Sequence, residues 1–142
     1  MKNIGQCSLN YDKKTRPKSQ IKLIVFHYTG MQSKVEALKK LCDPKSKVSC
    51  HYFIDEIGNI VKIVPEEFSA WHAGKSSWKN FKFLNKFSIG IELVNPGHAF
   101  GYRKFSKKQI HSIKQISKKP KIPTVVLIAN LATVLPAPAK SP

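Results

Sequence analysis

Ser88-Ile89-Gly90-Ile91-Glu92-Leu93-Val94-Asn95 is the stretch around which the chain is read. Its apolar, β-branched character suits a strand covered on both faces rather than one with a wet side. Glu92 stands in the middle of it. Carboxylates are almost never fully buried without a partner, and desolvation moves such an acid toward the pKa range of a general base. Pro96-Gly97 stops the strand. A second apolar run, residues 21–27, ends in His27-Tyr28-Thr29-Gly30 and presents an imidazole at the edge of a sheet, where sites in open α/β folds lie. A third feature, Trp71-His72-Ala73-Gly74, sits in a long polar and aromatic stretch, 66–87. A loop of that length inside a compact domain usually forms one wall of a cleft. Histidine and buried acid together point to a metal and a general base. Each residue also has a plain alternative: His27 a core histidine bonded to a carbonyl, Glu92 an edge-strand acid facing solvent, His72 a surface-loop histidine.

Working outward, Ser33 caps a helix over 34–41 whose inner face is Val35, Leu38 and Leu41. Residues 48–55 and 59–65 read as a hairpin turned by Glu56-Ile57-Gly58-Asn59. His51 lies in its first strand and is read as structural. Ser106 caps a second helix over 107–118, with Ile110, Ile113 and Ile116 inward. Residues 124–131 give a last strand and 132–142 an irregular tail. His98 and His111 receive no role. The order predicts an α/β domain with a mixed central β-sheet flanked by helices. Residues 1–20 read as an extended basic arm, 21–119 as the domain, and 120–142 as an atypical apolar, proline-rich tail.

The chain has 142 residues, enough for one domain. It carries 25 Lys plus Arg against 8 Asp plus Glu, a net charge of +17. Such a field attracts polyanions, but all the basic residues except Arg16 and Arg103 are lysine, and no nucleic-acid module stands out. Cys7, Cys42 and Cys50 show neither a CxxC pair nor a disulfide framework, so each is expected as a free or buried thiol. The first twenty residues are polar and lysine-rich, which favours the cytoplasm, with a periplasmic or secreted protein as the alternative. Residues 125–135 are too few to span a membrane. A monomer is expected.

Phe26-His27-Tyr28-Thr29-Gly30-Met31, Val48-Ser49-Cys50-His51-Tyr52-Phe53-Ile54-Asp55, Val64-Pro65-Glu66-Glu67, Trp71-His72-Ala73-Gly74 and Ser88 to Asn95 closely resemble the zinc-dependent N-acetylmuramoyl-L-alanine amidases. The likeness is to the AmpD-like group of the amidase-2 family, related to phage T7 lysozyme and the peptidoglycan recognition proteins. Any single motif is weak; five in the same order are specific. The resemblance implies Zn2+ as cofactor, His27 as a metal ligand and Glu92 as catalytic acid/base. It implies that Tyr28, Trp71, His72, Ala73, Gly74 and Asn95 line a cleft for peptidoglycan fragments (muropeptides). The bond cleaved would be the amide between N-acetylmuramic acid and L-alanine.

The family's late segments, which bring a second His ligand, a basic residue and an Asp ligand, have no counterpart. No Asp or Glu follows Glu92 and no His follows His111. Of the basic residues only Lys121 and Lys140 fall in 121–142, so a tail altered by frameshift or truncation is expected. His51 and His72 match no ligand position of the family. Three readings follow: a zinc amidase with an unfinished ligand set, a non-catalytic muropeptide-binding module, and, on charge alone, a binder of nucleic acid or anionic surfaces.

Overall fold

In the computed structural model, the described residues are 2–3, 7–97, 100–101, 103–117 and 124–130, with 2–3 and 124–130 described by backbone only. The run containing Glu92 forms the strand β9 (Ser88–Leu93), and every residue of it is buried. On one side it pairs in parallel with β3 (Leu23–Tyr28), on the other with β4 (Tyr52–Ile54). β4 returns through the expected turn to antiparallel β5 (Ile60–Lys62), with Gly58 at φ 83, a left-handed conformation that a side chain would strain. β1 (Lys2–Asn3) and β10 (Thr124–Asn130) pair in parallel with β5 and β3. Among the described residues these six strands make one mixed sheet, ordered β1-β5-β4-β9-β3-β10.

Helix α1 (Lys34–Cys42) starts at Ser33, whose Oγ accepts from the Glu36 amide at 3.3 Å. It buries Ala37 and Leu41 against Val48, Cys50, Phe53 and Ile63 on one face of the sheet. Helix α2 (Lys107–Ser117) packs Ile116 against Ile24, Phe26, Ile89 and Ile91 on the other. Its start is a full capping box: Ser106 Oγ accepts from the Gln109 amide, and Gln109 Oε1 accepts from the Ser106 amide, both at 3.0 Å. Both helices are rotated from the expected faces. Val35 and Ile110 are 57% and 40% exposed, while Gln109 and Ser112 turn inward to reach the Val94 and Gly58 carbonyls. The packing there rewards a polar side chain that satisfies a buried carbonyl over a larger apolar one.

The N-terminal segment, read as an extended basic arm, is tied into the domain at two places. β2 (Tyr11–Asp12) pairs with β6 (Ser69–Ala70), and a disulfide joins Cys7 to Cys42 at the end of α1. That bond corrects the expectation of three free thiols; Cys50 alone of the three is free and buried. The stretch 66–87 is likewise more ordered than a single loop. It contains β6, a small hairpin of β7 (Ser77–Trp78) and β8 (Phe81–Lys82), and a 3-10 turn at Leu84–Phe87. Residues 98, 118, 131 and 132–142, with the expected irregular tail, lie outside the described residues.

Candidate active site

Parallel register brings the two principal candidates together. His27 on β3 stands opposite Glu92 on β9, and in a parallel pair such residues face the same side. Side chains alternate along each strand, so Ser88, Gly90 and Glu92 share that side with Leu23, Val25 and His27. Ile89, Ile91 and Leu93 face α2.

Glu92 is fully buried, and among the described residues neither carboxyl oxygen has a hydrogen-bond partner. Burial holds its pKa well above the ordinary carboxylate value, and the positive charge of Lys40 offsets only part of this. The neighbouring Cys50 thiol is pushed up first by burial and then by the Glu92 charge. An acid so placed keeps its proton until a partner or a cation arrives.

Beside it lies a file of three buried histidines. His27 Nε2 is 2.8 Å from His72 Nδ1, and His72 Nε2 is 2.9 Å from Ser88 Oγ. The His72 ring lies flat on the strand because position 90 has no side chain: a Cβ there would sit 2.3 Å from the imidazole Cγ. His51 ends the file. Its Nδ1 accepts from the Gly90 amide at 3.0 Å, so its Nε2 carries the hydrogen and donates to the Phe68 carbonyl at 2.8 Å. Burial lowers the His51 pKa to about 3, with the Arg16 charge adding to the effect. His72 is likewise held well below its ordinary value by burial, then by the neighbouring His27, His51 and Arg16.

Arg16 closes the file from behind. It donates from Nε to the Glu66 carbonyl (3.1 Å), from Nη1 to Asn85 (2.9 Å) and from Nη2 to Ser88 (2.8 Å). Burial lowers its pKa to about 10, though the charges of Glu66 and Asp12 act the other way. Asn85 in turn fixes the Trp71-His72-Ala73-Gly74 segment, its Oδ1 accepting from the amides of His72 (3.1 Å) and Ala73 (2.8 Å). Trp71 Nε1 donates to Asp12 Oδ1 of the N-terminal segment at 3.0 Å, and its amide donates to Ser49 Oγ ahead of β4 at 2.9 Å.

The residues expected to line a cleft therefore divide. Tyr28, Trp71 and Ala73 are partly exposed. Gly74 is buried at φ 57. His72 is buried with both ring nitrogens engaged inside the protein. Asn95 is buried too: its Nδ2 donates to the Arg103 carbonyl and its Oδ1 accepts from Gly97, which organises the loop after β9. Sequence reasoning missed Arg16, Ser88, Asn85 and the purpose of Gly90. A glycine inside a strand marks a close approach, and an arginine in a lysine-rich chain marks a fork-shaped donor put to use; those two signals were present.

For a metal, His27 offers one donor of the right chemistry, and the orphaned Glu92 carboxyl fits a nearby cation. Among the described residues, however, no three His, Cys, Asp or Glu side chains are grouped to hold an ion, and a catalytic zinc takes three protein ligands. His27 fits as a first ligand; the described set is incomplete.

A mixed sheet flanked by two helices, with a buried carboxyl beside a strand-end histidine, defines the class as an α/β domain with a candidate site on one face of its sheet. Comparison gives the family. Residues 17–122 match the N-acetylmuramoyl-L-alanine amidase (amidase-2) family, and the chain belongs to it. It is 38% identical over 99 residues to the Escherichia coli K12 amidase AmiD, a match covering 61% of this chain and 35% of AmiD. The fold is similar to E. coli AmiD in complex with anhydro-N-acetylmuramic acid-L-Ala-D-gamma-Glu-L-Lys, with a TM-score of 0.62 and 34% identity over 75% of this chain and 44% of that one. Pseudomonas aeruginosa AmpDH3, in complex with an anhydromuramic pentapeptide, gives a TM-score of 0.65 and 28% identity over 81% and 54%. The chain thus spans about a third of the length of AmiD. Among the described residues no helix is long and apolar enough to cross a membrane.

Proposed function

We propose that this chain hydrolyses the amide between N-acetylmuramic acid and L-alanine in peptidoglycan fragments. The observation that carries this is the buried Glu92 carboxyl, without a hydrogen-bond partner among the described residues and in register with His27 on one face of the sheet. An acid with a raised pKa is suited to receive a proton from an attacking water and return it to the leaving L-alanine nitrogen. The titrating group is then Glu92 and not a histidine, since His51 and His72 are both held neutral by burial. Tyr28, Trp71, Ala73 and Gly74 would line the cleft, with Trp71 offering an aromatic face to the sugar or stem peptide. His72 and Asn95 would support that lining from below. In this reading His27 is a zinc ligand. The chemistry a bound zinc supplies is polarisation of the amide carbonyl. The complexes of E. coli AmiD and P. aeruginosa AmpDH3 with anhydromuramyl peptides support this substrate class.

The chain is read as a monomer with no nucleic-acid partner. For the compartment, the Cys7–Cys42 bond is the observation that bears, because disulfides persist in oxidising surroundings. We place the working protein in contact with the wall, outside the reducing cytosol. A second reading, a muropeptide-binding module without turnover, rests on the donor set being incomplete among the described residues. Metal analysis of purified protein separates the two: stoichiometric zinc supports the enzyme, and tight muropeptide binding without zinc supports the module.

A further inference from the structure

The polar file on the sheet contains more information than its role as filler. Ser88 Oγ lies 2.6 Å from the Leu84 carbonyl oxygen and 2.9 Å from His72 Nε2. A hydroxyl has one hydrogen and a carbonyl only accepts. The Ser88 hydrogen therefore goes to Leu84, and His72 Nε2 must donate to Ser88. In a neutral imidazole the second nitrogen is then a bare acceptor. His72 is 1% exposed, and among the described residues its two ring nitrogens meet only His27 and Ser88, with no carboxylate against either. Its Nδ1 is 2.8 Å from His27 Nε2, which must in turn carry a hydrogen and donate it.

We propose that His72 and Ser88 are positioning residues that hold His27 in the Nε2–H tautomer, so that its lone pair resides on Nδ1. A histidine can ligate a metal or accept a proton only through the nitrogen that lacks hydrogen, and the hydrogen bond made by the other nitrogen decides which that is. The order runs from a backbone carbonyl through a serine and one imidazole to a second imidazole. Gly90 belongs to the same device, since any side chain at 90 would displace the His72 ring. The inference deepens the reading of His27 as a metal donor and rests on it for its meaning. The tautomer itself is measured without metal or substrate, so the two readings fail separately.

The test is long-range 1H–15N correlation NMR on the full, metal-free chain carrying 15N-labelled histidine. The expected spectrum gives His27 a pyridine-like Nδ1 and a pyrrole-like Nε2; an Nδ1–H tautomer, or an even mixture, overturns the proposal. In His72→Leu and Ser88→Ala the Nδ1–H fraction of His27 is expected to rise several-fold. In His72→Asn, whose amide oxygen falls near the place of Nδ1, the wild-type tautomer is expected to return. An unchanged His27 signal in a folded His72→Leu variant overturns the assignment. Should that variant fail to fold, the wild-type and His72→Asn spectra decide.

Discussion

Glu92 is the residue on which chemistry and stability meet. The folded protein holds its proton above the ordinary carboxylate pKa, whereas the unfolded chain releases it near pH 4.5. The folded state therefore binds more protons, and this group's contribution to stability falls as pH rises from about 4.5 toward the raised value. Glu92→Gln removes the effect. In metal-free protein its stability relative to wild type is expected to improve between pH 4 and pH 8. Denaturant titration at the two pH values measures this, and an identical difference at both would count against a buried, proton-holding acid. Gly90→Ala belongs to the same scale. A Cβ 2.3 Å from the His72 ring forces a shift, and overpacking of this kind costs about 1–3 kcal/mol. Thermal unfolding of the variant reads it, and a wild-type midpoint would show that the ring is not pinned.

Among the elements, the segment 7–20 shows what local sequence hides. Its composition reads as a solvated arm, yet Arg16 supplies hydrogen bonds to three backbone carbonyls from two separate stretches. Arg16→Leu would leave those carbonyls without their donor and is expected to destabilise the fold by about 3 kcal/mol or more, seen as a lower urea midpoint; an unchanged midpoint would make the contacts incidental. β3, β9, the β4–β5 hairpin and both N-caps were legible because each is written in a local pattern: apolar runs, a Gly-Asn turn, a serine before a periodic stretch. The helix faces were misread at Val35 and Ile110 because counting apolar side chains overlooks buried carbonyls that recruit Gln109 and Ser112. His27 and Glu92 could be picked out as chemically expensive, but their opposition in register depends on strand pairing between residues 65 apart in sequence. The Arg16 contacts and the His27–His72–Ser88 file depend on the same long-range assembly.

For the whole molecule, the Cys7–Cys42 bond and the buried histidines set the conditions of stability. The disulfide closes a sequence separation of 35 residues, and opening a loop of that size costs about 2–4 kcal/mol. Reductant is expected to lower the unfolding midpoint accordingly, and thiol titration of the native, unreduced protein is expected to find only Cys50 reactive after denaturation; three thiols would remove the bond and the compartment inferred from it. His51 acts on the acid side. Its folded pKa of about 3 lies below the unfolded value of about 6.5, so the unfolded chain takes up a proton first, and stability is lost as pH falls from 6.5 toward 3. Against His51→Asn, which keeps an acceptor for the Gly90 amide, the wild-type advantage is expected to shrink by about 2 kcal/mol between pH 7 and pH 5.

The proposed function rests on one buried acid, Glu92, in register with His27. The most direct measurement is release of free stem peptide from an anhydromuramyl peptide incubated with zinc and either wild-type protein or Glu92→Gln. Wild type is expected to release peptide beginning with L-alanine, and the variant to be slower by about 10²–10⁴-fold while remaining folded. Equal rates from the two proteins, or no release from wild type, would contradict the role given to Glu92.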